Sequence, residues 1–70
     1  MIPGTIVLVI RTGAGCYGAE NRVCIVTDEP NDHGLSAKDP GYNVAILSRG
    51  QIWRIPPDAE VKILYNPYFH

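Results

Sequence analysis

Seventy residues, 46% apolar and 19% charged, make one small globular domain (residues 1–70) with a core thin enough that every strand must contribute. Six basic against seven acidic residues leave a formal net charge of −1, without the basic surplus of a typical nucleic-acid binder. The longest apolar run, Ile6 to Ile10, is far below the roughly 20 residues that span a bilayer. Met1-Ile2-Pro3-Gly4 carries no basic leader, so the expectation is a cytoplasmic protein without membrane contact.

Seven glycines and six prolines are spread through the chain and leave little room for helices. Between them lie short β-rich runs. The first strand is expected over Thr5 to Arg11, where four β-branched apolar residues fall within five positions. It is apolar on both faces, with Ile6, Leu8 and Ile10 on one and Val7 and Val9 on the other. A domain this small covers both with difficulty, so part of strand 5–11 is expected to meet a second copy or a partner.

A Gly-rich loop, Thr12 to Asn21, follows and contains Gly13-Ala14-Gly15-Cys16-Tyr17-Gly18, a literal G-x-G-x-x-G. In dinucleotide-binding folds that pattern works because a helix follows and aims its N-terminal amides at the pyrophosphate. Here the next strand begins at Arg22, which leaves no room for such a helix, and no cofactor is expected. The glycines read instead as a loop that permits positive φ.

The second strand is expected over Arg22 to Asp28, then a loop from Glu29 to Gly41, then a third strand over Tyr42 to Ser48. Arg49-Gly50 signals a tight hairpin into a fourth strand, Gln51 to Ile55. Pro56-Pro57-Asp58 breaks the ladder before a fifth strand, Glu60 to Tyr65. Alternation nominates Val23, Ile25, Val44, Ile46, Val61, Ile63 and Tyr65 for the core, joined by Ile6, Leu8, Ile10 and one of Ile52 or Trp53. Five short strands at this spacing suit an all-β small barrel, closed or nearly closed, since closure removes exposed edges.

A long first loop, a medium second loop, a tight distal hairpin and a Pro-Pro turn before the last strand resemble Src-homology-3-like (SH3-like) barrels. The segment from Ile55 to Leu64 looks like that family's closing turn and strand. The resemblance implies a five-stranded architecture. The family's aromatic peptide-binding signature is missing from the first loop, where only Tyr17 stands, so polyproline recognition is not implied. Small barrels host unrelated functions, and the fold does not fix one.

No catalytic constellation stands out. Cys16 needs a base to act as a nucleophile, and the only histidines are His33 and His70. Cys16 and Cys24, eight positions apart, could form one bridge, but the default reading is two reduced thiols. Asp28, Glu29, Asp32, His33 and Asp39 follow no known calcium-loop spacing, so the loop reads as solvated and no metal is expected. The leading expectation is a non-enzymatic protein-interaction module, of the kind of a small phage accessory or inhibitor protein that binds a host macromolecule. Its anchors would be Tyr17, Trp53, Tyr68 and Phe69, with Asp28 and Asp32 steering basic partners. The alternative is a nucleic-acid-binding barrel for RNA or single-stranded DNA, using Arg11, Arg22, Arg49 and Arg54.

Overall fold

The computed structural model describes residues 2–11, 17–31, 34 and 41–67. Five strands form one antiparallel sheet: β1 (Ile6–Arg11), β2 (Arg22–Thr27), β3 (Tyr42–Ile46), β4 (Ile52–Ile55) and β5 (Glu60–Tyr65). Their order across the sheet is β4-β3-β2-β1-β5. Each expected strand is present within two residues of its expected ends. The protein is all-β, with a single 3-10 turn among the described residues, Tyr17–Ala19, that precedes β2. That turn stands where a nucleotide-binding motif would need a full helix. Between β3 and β4 the chain reverses over Leu47 to Gln51, where Gly50 takes φ +73° and donates its N–H to Ile46 O at 2.7 Å.

The sheet does not close. No ladder joins β4 to β5, where a closed or nearly closed barrel was the expectation. β4 has only four residues and is cut off by Pro56 and Pro57, which have no N–H to give a ladder. β5 pairs β1 with a register shift on each side of the Val7–Val9 stretch, and the shift between Ile6 and Val7 leaves Leu64 bulged. The chain is nevertheless compact: the radius of gyration is 10.7 Å, against about 11 Å for a folded chain of this length. This is a five-stranded antiparallel sheet compatible with a barrel-like shape.

The concave face is the core. Val7 and Val9 of β1, Cys24 and Val26 of β2, and Val44 and Ile46 of β3 are all buried there. Ile55 closes one end, Ala19 packs from the 3-10 turn, and Tyr42, Trp53, Ala59 and Val61 lean against the cluster. The expected core was therefore right for Val44, Ile46, Val61 and Trp53, took the inward face for Ile63, and took the wrong face for Ile6, Leu8, Ile10, Val23, Ile25 and Tyr65. Ile6, Leu8 and Ile25 are half-buried on the opposite face, while Ile10 and Val23 are exposed. The reason is register: Val7 sits opposite Cys24 and Cys24 opposite Ile46, so the inward face of β3 carries Cys24 and Val7 inward with it. Ile63 faces inward opposite Val7 but stays 51% exposed, because β5 lies at the open edge. Tyr65, shifted by the bulge to sit opposite Ile6, is exposed on the outer side.

Candidate functional site

Two rows that cross the outer face of the sheet are largely apolar, beside a polar row of Thr27, Asn43 and Arg54. Cross-strand partners share a face, and the registers link Tyr65, Ile6, Ile25, Ala45 and Ile52 into one row across all five strands. A second row runs Lys62, Leu8 and Val23. Leu47 extends it, its N–H donating to Val23 O at 3.2 Å. Within these rows Val23 is 40% and Leu47 55% exposed. The one cation on the rows is Lys62; no carboxylate lies on them.

Beside the second row lies a groove of about 260 Å³ lined by Asn21, Arg22, Val23, Leu47 and Ser48. Its backbone rim is fixed. Asn21 sits at φ +59°, a conformation Asn tolerates better than most residues, and donates its N–H to Val9 O at 2.7 Å. Strand direction also places Arg11, Arg22 and Arg49 at this same end of the sheet, whereas Arg54 lies at the opposite end, paired in register with Asn43. Arg11 is engaged by Glu60, donating from Nη2 at 2.9 Å and from Nε at 3.1 Å to the same carboxylate oxygen. Arg54 packs near Gly41 and has a partner of its own.

The aromatic anchors fare differently. Trp53 is half-buried and packs against the core. A Cβ built on Gly18 would lie only 2.3 Å from its Cζ2, so the 3-10 turn presses directly on the indole ring. The indole Nε1–H is buried and meets no acceptor among the described residues. Tyr17 belongs to the same 3-10 turn; its side chain, together with Tyr68, Phe69 and Asp32, lies outside the described residues. So do Cys16, His33, Asp39 and His70. Asp28 is exposed at the end of β2, at the far end of the sheet from the groove.

Among the described residues two titratable groups are shifted by their surroundings. Burial pushes the Cys24 thiol up, only partly offset by the nearby Arg22 guanidinium, and a raised thiol is a poorer nucleophile at neutral pH. Cys24 is free, and its S–H donates to Arg22 O at 3.6 Å. Burial, then the neighbouring Cys24, raises the Tyr42 phenol as well. Among the described residues no three His, Cys, Asp or Glu gather as a metal would require. No described helix is long and apolar enough to cross a membrane.

The outer rows and the groove were not singled out by sequence reasoning, apart from the two-sided apolar pattern of strand 5–11. β1 lies between β2 and β5, so both of its edges are occupied and it can meet a second chain only through outer side chains such as Ile6, Leu8 and Ile10. The same two-sided pattern in Val23-Cys24-Ile25-Val26 was the signal that could have extended the face to β2. Comparison with family models, with curated proteins and with solved structures found no match to this chain.

Proposed function

We propose that the chain is a non-enzymatic protein-interaction module that docks a partner protein on the outer face of its sheet. The observation that carries this reading is the pair of apolar rows crossing the sheet, with Val23 and Leu47 exposed among them. The sheet edges are less suited to the task. β4 is short and ends at a proline pair, and β5 carries Glu60, Lys62 and a bulge, the devices by which natural sheets discourage edge pairing. The architecture is read as SH3-like, supported by the order of its connections and by the return of the last strand beside the first.

The test is affinity capture from source-cell lysate, with and without nuclease, comparing the wild-type chain with Leu47→Asp. Leu47 is exposed, so the substitution leaves stability within about 0.5 kcal/mol. A stoichiometric protein that survives nuclease and is lost with Leu47→Asp supports the reading. A partner set that vanishes with nuclease, or that ignores the substitution, refutes it.

Nucleic-acid binding is the second reading, favoured by Arg11, Arg22 and Arg49 sharing one end of the sheet. Against it stand the engagement of Arg11 by Glu60 and the distant position of Arg54. Binding to RNA or single-stranded DNA that weakens steeply with salt would favour it; its absence at low salt would remove it.

A further inference from the structure

We propose that β5 is a dimerisation edge, at which two copies of this chain pair antiparallel about a twofold axis with Val61 opposite Val61 of the second copy. The pairing is independent of what docks on the outer face.

The edge is open. Among the described residues β5 pairs only with β1, so its other side offers backbone N–H and C=O groups to a further strand. Val61 and Ile63 face inward opposite Val9 and Val7, yet Val61 is only half-buried and Ile63 is 51% exposed. The apolar inner face therefore runs out to this edge without a cover. A β-strand satisfies the backbone and continues that inner face at once.

Charge names which strand. Alternation puts Glu60 and Lys62 on the other face of β5, one on each side of Val61. Antiparallel pairing of Val61 with its own copy sets Glu60 across from Lys62 of the second copy, and Lys62 across from that copy's Glu60. Both groups are ready for this. Lys62 is exposed and takes part in no ion pair among the described residues. Arg11 places both of its bonds on Glu60 Oε1, which leaves Oε2 for a second cation. On the inner face the same register sets Ile63 across from Ala59, which already leans on the core cluster.

The neighbouring registers fail. A two-residue shift sets Lys62 against Lys62 in one direction and Glu60 against Glu60 in the other. A one-residue shift sets Val61 across from Glu60 or Lys62. The charges that turn an unmatched strand away from this edge thus match each other in a single register of a second copy. The pairing is isologous, so it closes as a dimer and leaves no β5 edge open.

The test is sedimentation equilibrium of the full chain from about 10 µM to about 1 mM, the range in which a small edge interface of the weak class associates. The wild-type chain is expected to show a monomer–dimer equilibrium that weakens as salt is added. Glu60→Lys and Lys62→Glu each turn two attractive cross-strand pairs into two repulsive ones, so each alone should weaken the dimer by about tenfold or more. The Arg11–Glu60 pair is exposed, so its loss leaves the fold intact. An equimolar mixture of the two variants restores opposite charges at both pairs and should associate about as well as the wild type. The double variant, which exchanges the two charges within one chain, should dimerise too. A wild type that is monomeric at about 1 mM, a dimer indifferent to either single variant, or a mixture and a double variant that stay monomeric overturns the proposal. A dimer lost with Leu47→Asp but kept with Glu60→Lys also overturns it, and moves self-association to the outer face.

Discussion

Gly18→Ala tests whether Trp53 belongs to the core, and hence whether it is available to a partner. A Cβ at this position would lie 2.3, 2.7 and 2.9 Å from Cζ2, Cε2 and Cη2 of the indole. Ordinary carbon contacts sit at about 3.5–4.0 Å, so ring or turn must move by about an ångström. The ring cannot yield by rotating a flexible tip, because it packs as a rigid body against the core cluster. Overpacking of this kind costs about 1–3 kcal/mol. Gly18 is not in the left-handed region, so alanine adds no backbone strain and recovers about 0.4–1 kcal/mol by restricting the unfolded chain. The expected net loss is about 1–2 kcal/mol, a large share of the roughly 3.5–10 kcal/mol typical of a chain this long.

Urea unfolding followed by far-ultraviolet circular dichroism reads this directly. With a slope of about 1 kcal/mol/M, the midpoint should fall by about 1–2 M. Emission of Trp53, the sole tryptophan, should shift to the red as the ring is displaced. Trp53→Phe removes Cζ2 and Cη2 of the fused ring, so in that background Gly18→Ala should be nearly neutral, giving a coupling of about 1 kcal/mol or more. An unchanged midpoint for Gly18→Ala, or an equal loss in both backgrounds, would refute the reasoning and return Trp53 to the list of candidate contacts.

The two faces of the sheet should respond differently to truncation. Val9→Ala removes two buried methyl groups at about 0.8 kcal/mol each and leaves a cavity, for a loss of about 2 kcal/mol, whereas Val23→Ala, already 40% exposed, should cost under about 1 kcal/mol. A reversed order in thermal or urea melts would mean the faces are wrongly assigned. Cys24 should resist a thiol reagent in the native state and react on unfolding; native labelling as fast as that of a free peptide thiol would contradict its burial. Its folded pKa is raised, as is that of Tyr42, so both stabilise the fold below their unfolded values and the contribution is lost as pH rises. Stability should therefore decline above about pH 8.5, where an unfolded thiol ionises, and Cys24→Ala should flatten the first part of that decline. Arg11→Ala should cost under about 1 kcal/mol and the loss should vanish in high salt, since its pair with Glu60 is 73% and 51% exposed; a larger, salt-insensitive loss would show that Arg11 packs as well as pairs.

Local sequence determined the strands of this protein and the points where they stop. β-branched runs placed β1, β2, β3 and β5, Pro56-Pro57 ended β4, and Gly50 supplied the positive φ that the β3–β4 reversal needs. These depend on the steric preferences of a few neighbouring residues, which a sequence displays. The choice of inward face was a different matter. Val7 and Leu8, or Val23 and Cys24, are equally apolar to either side, and alternation cannot rank two apolar faces. Register across three strands decided it, by setting Val7 against Cys24 and Cys24 against Ile46. The same long-range pairing decided the candidate site. Arg22 and Val23 meet Leu47 and Ser48, more than twenty positions away, only because β2 and β3 align there, and Trp53 turns inward because β4 pairs it with Val44, with Gly18 packed close to its ring. Closure failed for a cooperative reason as well: it needs β4 and β5 to be long and regular together, and the proline pair shortens one while the bulge distorts the other.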